Sequence, residues 1–487
     1  MLDGRRVDGE QARSVLNQGP FTIDQDEGWR TIAAASPGRD YVRNVGCGMV
    51  GYTWEENGPS LAVRAGERSL EEQVERTAAL ACTDVLYIRC DWRDVQQRPG
   101  RLGLHPVWEL TLDAAKRRGL RVAFRVQLSS PNGQPDRLAL PDFVADRVPL
   151  VDIGRIRNAP YGMLEPRYDH PAFQQAFREL NELLADRFDG DPLVEFADLM
   201  MYGFWGEGHS GPLPHPFPDD RTAEETCLAM TEMQLAAWRR TPLAVNTQPD
   251  ISQVGNNAVR ELALAHGCWL RSDSILIEEP EQIGLLAGHP SGAAVIMEDG
   301  YDRHYNETII PSDQYGLSRL ENAMLHALDV GANYWSLWTE SDQVERFMRA
   351  HPDALGRLRD RLGYRLRPAW IWQRKRMGTD EVVVAVKNDG VSGVPGTLWL
   401  KLTSPDGKLN LSGVLDIGHP YGGQLRLASF LLPAGYAGQE LLLGAELETR
   451  PDVRHPVAWS CAQPLRPNSL FPLRLAEHDE EGWRYGV

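Results

Sequence analysis

The chain has 487 residues and a mass of 54.5 kDa, about three times an ordinary ~150-residue domain, so one large domain with an appendix, or two or three domains, is expected. Its 42% hydrophobic and 24% charged residues are those of an ordered globular protein and exclude a disordered or fibrous one. Lysine and arginine number 51 against 68 acids, and a net charge of −17 repels phosphate backbones and anionic lipid, which argues against nucleic acid or a membrane as partner.

In chain order, the opening MLDGRRVDGEQARSV lacks the apolar stretch of a signal peptide, and no run of eighteen apolar residues follows anywhere, so a cytoplasmic protein is expected. Residues 1–43 read as a lead-in segment. From residue 44 to 365, apolar β-rich runs alternate with helical patterns, the signature of parallel βα units. Eight strands are predicted, at 44–52, 84–92, 120–128, 196–207, 242–248, 268–274, 293–299 and 332–340. Helices are predicted at 68–82, 108–118, 170–188, 222–240, 256–266 and 317–329, with a short sixth crossover at 279–289. In the third of these, Phe173, Phe177, Leu180, Leu184 and Phe188 recur at three- and four-residue spacing and form one apolar stripe.

Eight such units in some 300 residues fit an α/β protein with a (β/α)8 barrel, conventionally ~250 residues plus insertions. A doubly wound sheet is the alternative, but no Gly-x-Gly-x-x-Gly or Gly-x-x-x-x-Gly-Lys-Ser/Thr turn follows any strand, and no cofactor is expected. The stretch 129–169 is too long for an ordinary connection and is expected to fold over the barrel mouth. From 366 to 487 short alternating strands (EVVVAVKND, GTLWLKLTS, GQLRLASFLL, QELLLGAELET) are separated by turn residues and predict an antiparallel β-sandwich. The six cysteines are scattered without a Cys-x-x-Cys pair, which disfavours a zinc knuckle and a disulfide framework.

Catalysis in such a barrel sits at the carboxyl ends of the strands, so polar residues that close an apolar run are informative. Strand two ends Arg89-Cys90-Asp91-Trp92, strand three carries Arg125 and Gln127, strand five carries Asn246, and strand four ends Trp205-Gly206-Glu207-Gly208-His209. Strand seven ends Glu298-Asp299 and strand eight Trp338-Thr339-Glu340. By the period of two, Arg89 shares a face with Asp91, Arg125 with Gln127, and Trp205 with Glu207. Arg89, Asp91 and Arg125 read equally well as interior ion pairs, since buried charges must be paired. Glu207, flanked by two glycines that let the backbone turn, and Glu298 are carboxylates from strands four and seven that face each other across a barrel mouth. A pair ~5 to 5.5 Å apart is what a retaining glycosidase requires, one acid held protonated and the other ionised. Trp92, Trp205, Tyr301, Trp335 and Trp338 suit stacking on the apolar face of a sugar, although each is also an ordinary core residue. The segments 129–169 and 299–311 are expected to shape subsites, with Arg167, Tyr168, His170, Asn306 and Glu307 as candidates.

This pattern resembles the clan A glycoside hydrolases, the group that includes the family 42 β-galactosidases. LYIRCDWRDVQQRPGRLGLHPVWELTLDAAKRRGLRVAFRVQ (86–127), MMYGFWGEGHSG (200–211) and NYWSLW (333–338) carry the resemblance, which covers about 44–345. It implies Glu207 as acid/base, Glu298 as nucleophile and Trp338 as part of a sugar platform. Two departures stand out: Gly206 occupies the position where the clan has an asparagine that binds the sugar 2-hydroxyl, and strand six offers Arg271 and Asp273 in place of a tyrosine. Glu340 therefore stays a second candidate for the nucleophile or for hydroxyl binding. A carbohydrate substrate follows, and homo-oligomerisation is a base-rate expectation. Two other classes stay open: a non-catalytic sugar-binding barrel, and a metal-dependent hydrolase built on Glu207, His209, His215, Asp299 and His304, although the leading reading needs no metal.

Overall fold

The structure, a computed structural model, describes residues 28–54, 63, 65–130, 138–156, 161–248, 255–273, 275, 278–299, 319–337, 341–376, 378–479 and 482–484. It divides into two compact units, residues 46–362, and residues 1–45 together with 363–487.

The first unit is a closed barrel of eight parallel strands: Gly48–Trp54, Val85–Asp91, Arg121–Gln127, Val194–Asp198, Leu243–Asn246, Trp269–Ser272, Val295–Asp299 and Tyr334–Leu337. The eighth pairs with the first, Tyr334 opposite Gly48, which closes the ring and leaves no sheet edge. Helices follow the strands in the predicted places, among them Leu70–Ala79, Pro106–Arg118, Pro171–Phe188, Asp220–Ala237, Asn256–Ala265 and Arg319–Asp329. Pro171–Phe188 begins where the sequence requires it to: Pro171 takes the first turn, and the His170 ring accepts the Ala172 amide. Its predicted stripe of Phe173, Phe177, Leu180, Leu184 and Phe188 is buried against the barrel. The insertion between strands three and four contains a short helix, Asp142–Ala145, and a hairpin of Leu150–Gly154 with Met163–Pro166.

Inside the barrel two layers alternate with the pleat. Tyr52, Tyr87, Phe196, Trp269 and Tyr334 form an aromatic floor, with the Phe196 and Tyr334 rings 5.5 Å apart and those of Tyr52 and Tyr87 4.9 Å apart. Two residues further along the strands, about 6.6 Å nearer the carboxyl ends, stand Arg89, Arg125, Asp198, Asn246, Arg271, Glu298 and Ser336. The polar layer lies on the carboxyl-end side of this floor.

The fourth strand corrects the sequence reading. It ends at Asp198, and Glu207 lies nine residues beyond it in a turn. The apolar run LMMYGF extended the predicted strand because those residues are buried in the core while following an irregular path. Gly203, Gly206 and Gly208 and even Trp205 take positive φ there, so the period-two pairing of Trp205 with Glu207 does not apply.

The second unit is an antiparallel β-sandwich. One sheet orders Arg30–Ala34, Leu366–Arg376, Thr379–Asn388 and Leu425–Leu432, so a strand from the expected lead-in segment pairs along one edge. The other orders Asn410–Val414, Thr397–Thr403, Glu440–Arg450 and Val453–Val457, with Phe471–Arg474 also on Glu440–Arg450. Val382, Val384 and Val386 on one sheet and Leu398, Leu400, Leu402, Leu441 and Leu443 on the other are fully buried and fill its core. Among the described residues no helix is long and apolar enough to cross a membrane.

Candidate active site

At the barrel mouth three guanidinium groups interleave with four carboxylates. Arg89 Nη2 reaches Glu298 Oε2 at 3.0 Å, Glu207 Oε1 at 3.5 Å and Asp273 Oδ1 at 3.6 Å, so one nitrogen of strand two joins carboxylates from three other segments. Arg125 donates to Asp198 at 3.1 Å, to Glu207 Oε1 at 3.2 Å and to the Trp205 carbonyl at 3.3 Å, and approaches Asp273 at 3.6 Å. Arg271 pairs with Asp273 at 3.0 Å, donates to the Tyr52 hydroxyl at 2.8 Å and closes on Glu298. Tyr87 donates to Asp198 and Asn246 to Asp273.

All three arginines are essentially inaccessible, whereas Glu207, Asp273, His209 and Glu298 retain 3–9% exposure, so the carboxylates and the imidazole form the solvent-facing rim of the cluster. Charges buried this deeply persist only because each has a partner, since removing an ion from water costs several kcal/mol. Three positive and four negative groups leave one charge unbalanced. A proton taken up by the Glu298 and Asp273 pair neutralises the set: burial pushes the Glu298 carboxyl up to about 8, with Asp273 beside it adding to the rise against the pull of Arg271 and Arg89. Arg125 foremost, then Arg271, the hydrogen bond with Glu298 and Arg89, hold Asp273 far below the carboxylate range against its burial.

The turn that carries Glu207 is fixed by its own backbone. Phe204 N–H donates to the His209 carbonyl at 2.6 Å, Gly208 N–H to Tyr202 at 3.0 Å, and Glu207 N–H to Phe204 at 3.0 Å. A Cβ on Gly203 would stand 2.1 Å from the His209 oxygen, so only glycine fits there. Trp205 has φ +55°, a strained value for a bulky residue, and is held by Ser129, which accepts its N–H at 3.1 Å, and by Arg125 on its carbonyl. His209 Nδ1 accepts the Gly211 N–H at 2.9 Å, which leaves the ring hydrogen on Nε2, 3.2 Å from Glu207 Oε2. Glu207 thus meets donors on both oxygens.

Of the residues singled out in the sequence, Arg89, Arg125, Glu207, His209, Asn246 and Glu298 converge here, and Trp205 borders them. Asp91 and Gln127, adjacent in register on strands two and three, are buried at the ends of those strands. Trp92 and Trp335 are corrections to the expected sugar platform. Trp92 is fully buried outside the barrel against Phe173 and Phe177, and its ring N–H is taken by Gln96. Trp335 points outward into the layer between barrel and helices, its neighbour Tyr334 having the inward position. Arg167 pairs with Asp169, His170 caps a helix and Tyr168 is buried, so none of these three offers a free subsite group. Tyr301, Trp338, Glu340, His304, Asn306 and Glu307 lie outside the described residues.

Asp198, Tyr52 and Tyr87 belong to the cluster without being expected in it, and Arg271 and Asp273, which the sequence offers only as a departure from the resembled pattern, stand at its centre. The Arg-Ser-Asp spacing at 271–273 repeats the Arg-Cys-Asp of strand two and was the available signal. Among the described residues, no group of three or more His, Cys, Asp or Glu side chains is arranged to hold a metal, and His215 pairs with Asp220 instead.

No protein-family model matches the chain, and no curated protein is similar to it in sequence. Solved structures similar to it include an exo-β-1,4-mannosidase from Opitutaceae bacterium strain TAV5, at 13% identity over 68% of this chain and 58% of that one, TM-score 0.36. Endo-glycoceramidase II from Rhodococcus sp. is similar at 14% identity over 81% and 100%, TM-score 0.37. A GH42 β-galactosidase from G. stearothermophilus is similar at 12% identity over 62% and 52%, TM-score 0.38. The chain thus spans little more than half the length of the mannosidase and of the galactosidase.

Proposed function

We propose that the barrel is a retaining glycoside hydrolase acting on a carbohydrate substrate. The observation that carries this reading is the shared contact of Glu207 and Glu298 on Arg89 Nη2. Their nearest oxygens are no more than about 6.5 Å apart, compatible with the ~5 to 5.5 Å spacing of a double-displacement pair. Glu207 gives its proton to the leaving glycosidic oxygen while a Glu298 oxygen bonds to the anomeric carbon. Water then attacks that carbon, Glu207 takes the water's proton, and the ester bond to Glu298 breaks. Arg89 and Arg271 stabilise the Glu298 anion before attack and after release. With Gly206 in place of an asparagine, recognition of the 2-hydroxyl falls to other groups of the rim, of which Asp273 and Asn246 are at hand.

A second reading exchanges the two roles. The rise of the Glu298 carboxyl to about 8 suits a proton donor, and the donors on both Glu207 oxygens suit a nucleophile. Both readings predict that Glu207→Gln and Glu298→Gln each lower turnover of an aryl glycoside from a broad panel by ~100-fold or more. Azide restores turnover in whichever variant has lost the nucleophile. Wild-type turnover in both variants would end the proposal.

A further inference from the structure

The insertion after strand three contains a buried acid that the proposed reaction does not use. Glu165, on the hairpin strand Met163–Pro166, has no solvent exposure. Its carboxyl meets the Ser129 hydroxyl at the end of strand three and accepts the Tyr168 hydroxyl at 2.6 Å. The same Tyr168 oxygen accepts the Gly203 N–H at 3.0 Å, at the entry of the turn that carries Glu207. Ser129 holds that turn from its other side, through the Trp205 N–H. Beside these bonds Ile153 and Met163 of the hairpin pack on Phe204 of the turn. We propose that Glu165 is a positioning residue, and that Glu165, Tyr168 and Ser129 form a latch by which the inserted hairpin holds the Glu207 turn in its strained conformation.

The chemistry of the latch favours a neutral acid. The groups facing the Glu165 carboxyl are the Ser129 hydroxyl from just beyond strand three, the Tyr168 hydroxyl from its own segment and, further off, the His209 ring from the turn, while Tyr202 faces Tyr168. Among the described residues no guanidinium or ammonium group is bonded to it, and a buried carboxylate without such a partner is costly. Burial accordingly pushes its carboxyl up to about 7. A carboxyl raised in this way stabilises the latched state at low pH, and that stability is lost as the pH rises through the raised value.

The catalytic consequence rests on the role proposed for Glu207, but the test does not need it. Amide hydrogen exchange of residues 199–211, corrected for the intrinsic pH dependence, should show protection in the wild-type protein falling about tenfold between pH 6 and 8.5. Glu165→Gln keeps the shape and the hydrogen bonds without the charge and should hold its protection across that range. Glu165→Ala and Tyr168→Phe should each lose protection at pH 6, and the double variant should lose no more than either alone. If the barrel is a glycosidase, Glu165→Ala also lowers kcat tenfold or more with KM nearly unchanged, and Glu165→Gln restores it. Equal pH dependence in wild type and Glu165→Gln, or full protection in Glu165→Ala, overturns the latch whether or not any glycoside is turned over.

Discussion

Replacing Asp273 by asparagine removes one negative charge from the rim and leaves its shape in place. Asp273 and Glu298 both contact Arg89 Nη2, at 3.6 and 3.0 Å, so their oxygens lie within about 6.6 Å. At an effective dielectric constant of ~20, two unit charges no farther apart than that repel by at least about 2.5 kcal/mol, equivalent to nearly two pH units in ionisation. Since Arg89 and Arg271 screen part of this, the carboxyl of Glu298 should ionise between one and two pH units lower in the variant. Under the leading reading Glu298 must be ionised to attack, so it sets the acid limb of kcat/KM against pH. That limb should move from near pH 8 to between about pH 6 and 7, and kcat/KM at pH 6 should rise about ten- to fiftyfold. Under the exchanged reading Glu298 sets the alkaline limb, and the same substitution narrows the profile from above. An unmoved profile would refute the electrostatic account of the rim.

Further outcomes follow from the buried cluster and its turn. Arg271→Met leaves Asp198, Asp273 and Glu298 short of a partner and should destabilise the barrel by about 3 to 5 kcal/mol, measured by urea unfolding. Gly203→Ala, which sets a methyl group against the His209 carbonyl at φ +75°, should abolish activity with little change in far-UV circular dichroism. Glu165 and Glu298 both have raised carboxyls, so both contribute stability below pH ~4.5 that is lost as the pH passes about 7 and about 8. The Tm should therefore be lower at pH 9 than at pH 6.

Strands of Val, Ile, Phe and Tyr between helical stripes made all eight barrel strands legible, because a parallel strand buried on both faces is a continuous apolar run. The same property hid which way its side chains point. Tyr334 and Trp335 are indistinguishable by periodicity when both faces are buried, and the outward one reads in the sequence as a stacking residue. Leu199, Met200, Tyr202 and Phe204 carried the fourth strand past its end for a related reason: a turn tucked into the core is as apolar as a strand. That displacement masked Asp198, the residue that closes the strand and receives Arg125 and Tyr87. Glu207 and Glu298 were found because glycines or a strand end exposed them as acids after apolar runs. Arg271 and Asp273 departed from the resembled pattern, and only their contacts with Arg89, Arg125 and Glu298 give them a place.

The central claim is that Glu207 and Glu298 work as a double-displacement pair on a glycoside. It is tested most directly by incubating the protein with activated 2-deoxy-2-fluoro glycosides, which slow breakdown of the covalent intermediate, and mapping the label by peptide mass spectrometry. The leading account predicts a glycosyl ester on Glu298 that disappears in Glu298→Gln. An ester on Glu207 would reverse the two roles, and a label on neither residue, with a glycoside that the enzyme demonstrably turns over, would contradict the account.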